Sequence, residues 1–270
     1  MKISVIFSNP KNIFAFNIIS SLIQSNIKIH SVIFIKKSKF KENIKILKNF
    51  KKSGIKIFRN LIDYNFTLPI KTSLNKWKFI KSISKNNNNE LEGNCFIEDL
   101  CKKNKISFFS FKELNSNDVK NYLIQNKVSI LCEAGTGIYR KILIDIPDLT
   151  ILNVHIGKLP NYKGMNVMEW AILQNDDIWA SIHKIDVGID TGPICYMQKM
   201  AIENIKSIKE LRKQGMQFCA KTLADYLSNK NHIDIRISIE QSLNGRQYFV
   251  MHENLKKIVE NKLPVMPDFT

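Results

Sequence analysis

The feature that most constrains this chain is an alternation. Short apolar runs of strand length are followed, again and again, by segments whose apolar residues recur at helical spacing. Lys2–Phe7 is largely apolar and stops at Ser8-Asn9-Pro10, as expected of a parallel strand buried on both faces. Ile13–Gln24 then sets Phe14, Ile18 and Leu22 on one helical face, and Ile29–Ile35 is a second apolar run. The opening therefore reads as a βαβ unit with a right-handed crossover. The pattern resumes after Glu90 with a helix at Phe96–Lys103 and a strand at Ile106–Phe109. A helix at Val119–Gln125 follows, behind the capping candidates Ser116-Asn117-Asp118. Next come a strand at Val128–Cys132, a short helix at Tyr139–Ile144 stopped near Pro147, and a strand at Thr150–Val154. Beyond these lie a helix at Val167–Gln174, a strand at Trp179–Ile185 with a hairpin partner at Ile194–Ile202, and a long helix over 206–228. The tail holds strands at Ile233–Ile239 and Arg246–Val250 and a helix at Asn254–Asn261, ended by Pro264 and Pro267. This order predicts an α/β chain: a doubly wound, mostly parallel sheet over 1–205, with a short α+β C-terminal extension over 206–270. Residues 36–90 read as a basic elaboration, with a basic amphipathic helix in Lys36–Phe58, a short strand at Ile55–Phe58 and a helix at Trp77–Ile83.

Composition narrows the function. The formal charge of +17 invites a nucleic-acid reading, but lysine, asparagine and isoleucine are abundant throughout, as in Asn86-Asn87-Asn88-Asn89. That is a chain-wide bias, which favours a small anionic partner over a nucleic-acid stripe. Apolar runs such as Val32–Ile35 are far too short for a membrane span, and the N-terminus lacks the form of a secretory signal, so a cytoplasmic protein is expected. Cys95, Cys101, Cys132, Cys195 and Cys219 include no Cys-x-x-Cys pair and no metal-ligand spacing; free thiols are expected and no metal. The turn after the first strand, Ser8–Asn12, has no glycine, which removes a dinucleotide-binding fingerprint.

The candidate chemistry lies in 151–193. Asn153 and His155 are two apart in an extended context, so both emerge on one face. Asp190 lies in a loop bracketed by Gly188 and Gly192. An amide, an imidazole and a carboxylate can converge on one reacting carbonyl. Glu133-Ala134-Gly135-Thr136-Gly137 ends a strand in small residues, which lets backbone approach a ligand. His183 reads as packed or hydrogen-bonded within its strand, Tyr162 as packed and Lys163 as solvated. His252, near Arg246 and Tyr248, is a candidate for holding an acceptor.

Asn153-Val154-His155, Leu159-Pro160-x-Tyr162-x-Gly164 and Asp186-x-Gly188-x-Asp190-Thr191-Gly192 together resemble the folate-dependent formyltransferases, well over residues 128–203 and loosely over the opening βαβ unit. That family includes glycinamide ribonucleotide, methionyl-tRNA and amino-sugar N-formyltransferases. The resemblance implies a formyltransferase-like Rossmann-type fold and 10-formyltetrahydrofolate as formyl donor. It makes Asn153, His155 and Asp190 the catalytic set. Asn153 and an imidazolium at His155 would stabilise the oxyanion, while Asp190 orients His155, raises its pKa and helps move the amine's proton. It also implies donor binding against Gly137, Ile138 and Tyr139 and against Val187, Gly188 and Ile189.

The chain departs from the family at Gly157-Lys158, where a Ser-Leu pair is common and a supporting hydroxyl is lost. A glycine-rich phosphate loop is absent at Ser8–Asn12, and the 65 positions from Lys206 to Thr270 (270 − 206 + 1) are short for the barrel that the tRNA enzymes add. The expected acceptor is thus a primary amine on an amino-sugar nucleotide or similar small anion. Glycinamide ribonucleotide and methionyl-tRNA are the alternatives, and release of formate by hydrolysis is a mechanistic variant. A reading from another class is a non-catalytic nucleotide- or nucleic-acid-binding module, which salt-sensitive binding surviving His155→Ala would favour. No membrane partner is expected, and a homodimer is left open.

Overall fold

A computed structural model describes residues 1–36, 96–202, 205–229, 238–242 and 244–263. The expected elaboration beyond Lys36, Cys95, most of the strand expected at Ile233–Ile239, and Pro264 and Pro267 lie outside the described residues. β1 (Ile3–Phe7), α1 (Ile13–Gln24) and β2 (Ile29–Ile35) form the opening unit, and β1 and β2 pair in parallel. α2 (Phe96–Lys103), β3 (Ser107–Phe111), α3 (Asn117–Gln125), β4 (Ile130–Glu133), α4 (Lys141–Ile144) and β5 (Thr150–His155) follow. Then come β6 (Tyr162–Gly164), α5 (Val167–Leu173), β7 (Trp179–Lys184), β8 (Ile194–Lys199), α6 (Ile208–Ser228), β9 (Arg246–Tyr248) and α7 (Glu253–Lys262).

The main sheet has the order β3-β2-β1-β4-β5-β7-β8. The first five strands are parallel; β7 and β8 run antiparallel at the edge. Residue parity sorts the two faces. Val5, Phe7, Val32, Cys132, Leu152 and Val154 pack under α1 and α6, whereas Ile6, Ile33, Leu131 and Ile151 pack with Val119, Leu123 and Leu143 of α3 and α4. Helices on both faces make the fold doubly wound, as the alternation predicts. Among the described residues, no helix is long and apolar enough to cross a membrane.

Strand order reverses between β1 and β4, and in such sheets ligands bind outside the carboxyl ends of the strands at that switch point. Here the two loops are stitched together. The Ser8 hydroxyl donates to the Gly135 carbonyl at 2.8 Å, and Asn12 Nδ2 donates to the Ala134 carbonyl at 2.7 Å. Asn12 also caps α1, its Oδ1 accepting from the Ala15 N–H. The short helix begins at Lys141 rather than Tyr139, because Arg140 stays extended with its N–H donating to Asn115 Oδ1. The backbone from Gly135 to Arg140 is thereby left as loop at the sheet's ligand-binding edge.

A second apolar cluster ties the tail to the post-β5 segment. Met251, Val259 and Leu263 pack with Tyr162, Val167, Met168 and Ile172, and β9 pairs in parallel with β6. Ile239 bridges Ile194 at the edge of β8.

Candidate active site

β5 carries the first two site residues. Asn153 and His155 share the face of Ile151, and His155 is only 8% exposed. The antiparallel register sets His183 directly opposite Asn153. The connection from β7 to β8 folds over this face, which brings Asp190 to both imidazoles: His155 Nδ1 lies 3.5 Å from Asp190 Oδ2, and His183 Nε2 lies 3.6 Å from Oδ1. Asp190 Oδ2 also accepts the Gly164 N–H at 2.9 Å. Asp190 itself stands at φ 54°, in the left-handed region, and Gln241 Nε2 holds its carbonyl and that of Gly192. A strained backbone held by this many partners marks an over-determined position.

Hydrogen-bond logic assigns the protons. His155 Nε2 lies 2.7 Å from the Tyr162 carbonyl, which can only accept, so Nε2 carries hydrogen and Nδ1 is the basic position facing Asp190. Burial holds the His155 pKa below the ordinary histidine value, although the charge of Asp190 and the bond to Tyr162 push the other way. Asp190 raises the His155 pKa as expected, but desolvation of the buried ring outweighs it, so the net shift is downward and favours a neutral ring over the expected imidazolium. For Asp190, burial raises the carboxyl, but the neighbouring His183 ring 3.6 Å away, the charge of His155 and the Gly164 N–H outweigh it and lower it to about 2.

The Gly157 departure has a spatial cause. A Cβ there would sit 2.6 Å from both His155 Nε2 and the Tyr162 carbonyl oxygen, the two atoms of the ring's anchoring bond. The turn is supported instead by Ser181, whose hydroxyl donates to the Gly157 carbonyl at 2.6 Å and accepts from the Leu159 N–H. Gly164 (φ 95°) is equally constrained, since a Cβ would lie 2.3 Å from the Tyr248 carbonyl.

Two loops border β5. After β4, the Glu133 carboxylate accepts the N–H groups of Gly135 and Thr136 and the Thr136 hydroxyl, so a buried carboxylate shapes the loop from inside. Burial raises the Glu133 pKa, and these bonds oppose the rise. Of the residues expected to bind a donor, Ile138 is 73% exposed and Gly137 has open space beside it, while the Tyr139 side chain is buried with its hydroxyl against Thr136 Oγ1. After β7, Asp186 Oδ1 accepts the Gly188 N–H and the Thr191 hydroxyl. This leaves Val187 and Ile189 exposed.

Asn153, His155 and Asp190 are therefore brought together, and His183, expected to be packed or hydrogen-bonded, is both and stands beside them as a fourth member. Its signal was the antiparallel register opposite Asn153, which no local pattern reveals. Tyr162 is packed as expected, stacked on Tyr248 at 5.2 Å with its hydroxyl donating to Asp176 and Gln174. Lys163, expected to be solvated, is buried, because β9 lies beside it. His252 caps α7, its Nδ1 accepting the Asn254 N–H, and so has a structural task of its own.

Comparison with known proteins bears on this arrangement. A family model described as "Formyl transferase" matches residues 80–227. The methionyl-tRNA formyltransferase of Prochlorococcus marinus subsp. pastoris is 26% identical over 153 residues, covering 54% of this chain and 46% of that protein. The chain thus spans about half the length of the curated relatives it matches. Among solved structures, glycinamide ribonucleotide transformylase 1 from Symbiobacterium toebii superposes with a TM-score of 0.53 at 13% identity, covering 90% of this chain and 94% of that one. A sugar N-formyltransferase from Shewanella sp FDAARGOS_354 gives 0.52 at 12% identity, covering 97% and 88%. At such identities the structural likeness speaks for the fold.

Proposed function

This chain belongs to the formyl transferase family, and on that premise we propose that it transfers a formyl group from 10-formyltetrahydrofolate to the primary amine of a small anionic acceptor, an amino-sugar nucleotide. The observation that carries the reading is the convergence of a carboxamide, a neutral imidazole and an ionised carboxylate on one face of β5. The donor supplies an electrophilic formyl carbon. Ile138 on one loop and Val187 and Ile189 on the other offer exposed apolar surface for a flat ring. Glu133 turns the N–H groups of Gly135 and Thr136 inward and Asn115 Nδ2 holds the Ile138 carbonyl, so this loop offers the exposed Ile138 side chain rather than a free peptide edge.

The chain's residues divide the work. Asn153 donates an amide hydrogen to the formyl oxygen as negative charge develops there. His155 accepts the amine's proton at Nδ1. The resulting imidazolium is already provided for, with Nε2–H on the Tyr162 carbonyl and Nδ1–H facing Asp190. Asp190, ionised throughout the working range, stabilises that charge until the imidazolium passes its proton to the donor nitrogen, which leaves as its bond to the formyl carbon breaks.

A second acceptor, methionyl-tRNA, is favoured by the similarity to the Prochlorococcus enzyme. An acceptor panel decides between them: amino-sugar nucleotides, glycinamide ribonucleotide and charged initiator tRNA, each with 10-formyltetrahydrofolate. Formylation of the sugar amine supports the first reading. Formylation of the tRNA alone, falling steeply with salt, supports the second. Wild-type turnover unaffected by Asn153→Ala, His155→Ala and Asp190→Ala would remove the site assignment.

A further inference from the structure

Asn153 has a partner that sets which end of its amide points where. His183 Nδ1 lies 2.9 Å from the Lys184 carbonyl. A carbonyl oxygen only accepts, so Nδ1 carries the hydrogen, and in the neutral ring Nε2 is then a bare lone pair. Asn153 Nδ2 lies 3.1 Å from that lone pair. An amide nitrogen only donates, so this contact is a bond when Asn153 presents its NH2, and a repulsion of lone pairs when the amide is turned by 180°. The two amide orientations are nearly identical in shape, so packing alone discriminates poorly between them. The imidazole does discriminate. His183 is 2% exposed and set opposite Asn153 by the β5–β7 register, so its ring is held against the carboxamide. Asp190 Oδ1, 3.6 Å from the same Nε2, would compete for it only if Nε2 were protonated.

We propose that His183 is a positioning residue: its Nε2 lone pair holds the Asn153 carboxamide with the NH2 end toward the reacting centre, leaving the second amide hydrogen for the formyl oxygen. This rests on the formyl-transfer reading above. One hydrogen of Nδ2 is used to fix direction, and the other acts. Without His183 the amide samples both orientations, and in the wrong one it offers oxygen lone pairs to a developing oxyanion, which destabilises the transition state.

The test is a double-mutant cycle with a conservative control. His183→Ala lowers kcat about 10- to 100-fold, part of the value of one oxyanion donor, with both KM values near wild type. In an Asn153→Ala background the same substitution costs less than about threefold, because its effect passes through Asn153. His183→Gln, whose side-chain carbonyl accepts in place of Nε2, recovers most of the rate. Equal losses in both backgrounds, or a Gln variant as slow as the Ala variant, would overturn the proposal. A second readout needs no turnover: 15N spectra of the labelled protein near neutral pH report His183 as the Nδ1–H tautomer, with its Nε2 resonance moving on Asn153→Ala. An Nε2–H tautomer or an imidazolium there overturns the inference even when the wild type turns over. Absent wild-type turnover with the amide–imidazole bond intact faults the formyl-transfer reading instead.

Discussion

Asp190 and Ile189 are neighbours in one loop, yet they belong to opposite kinds of surface. Asp190 joins a cluster in which both imidazoles, the carboxamide and the carboxylate are held by named partners, the two rings buried and the other two groups partly so. Ile189, like Val187 and Ile138, is an exposed apolar side chain among the described residues. Fixed dipoles act without reorganising during reaction. Exposed apolar side chains contribute only when a ligand removes them from water, at about 25 cal/mol per Å2. On the proposed reading, the loops after β4 and β7 serve binding and the β5–β7 face serves chemistry. Kinetics separates the two.

The comparison is broken most directly at His155. His155→Ala should lower kcat by about 10²- to 10⁴-fold, the usual value of a positioned general base, with donor binding retained by fluorescence titration. Gly157→Ala is expected to cost about tenfold in kcat and about 1–3 kcal/mol of stability in denaturant melts, because the new Cβ meets the His155–Tyr162 bond. Asp190→Asn sharpens the electrostatic side. The carboxylate raises the His155 pKa against burial, so removing its charge lowers that pKa further. The acid limb of the kcat/KM profile then moves to lower pH with the same acceptor; a limb moving to higher pH would reverse the assigned sign. The smallest effect belongs to the binding surface. Ile138→Ser or Val187→Ser should raise the donor KM about threefold to tenfold and leave kcat and Tm unchanged, as only partial burial by a ligand is lost.

The fold was largely legible because its signals are local. Apolar runs such as Ile29–Ile35 lie on the central strands, and Ser116 caps its helix as its type and place imply, accepting from Val119. Asn153, His155 and Asp190 were legible through motif and alternation. What escaped depends on pairings between distant residues. His183 meets Asn153 across 30 positions through an antiparallel register. Lys163 is buried by a strand more than eighty positions away, which is expected at Arg246–Val250 but whose pairing partner no local pattern names. The direction of the His155 shift escaped for another reason: a neighbouring carboxylate can be read from motifs, but the depth of burial that outweighs it cannot.

The most direct test follows release of tetrahydrofolate from 10-formyltetrahydrofolate by the wild type and by Asn153→Ala, with and without an amino-sugar nucleotide. The account predicts acceptor-dependent release that Asn153→Ala cuts about 100-fold or more while folate binding persists. Release that ignores the acceptor, or equal rates for the two proteins, would contradict it.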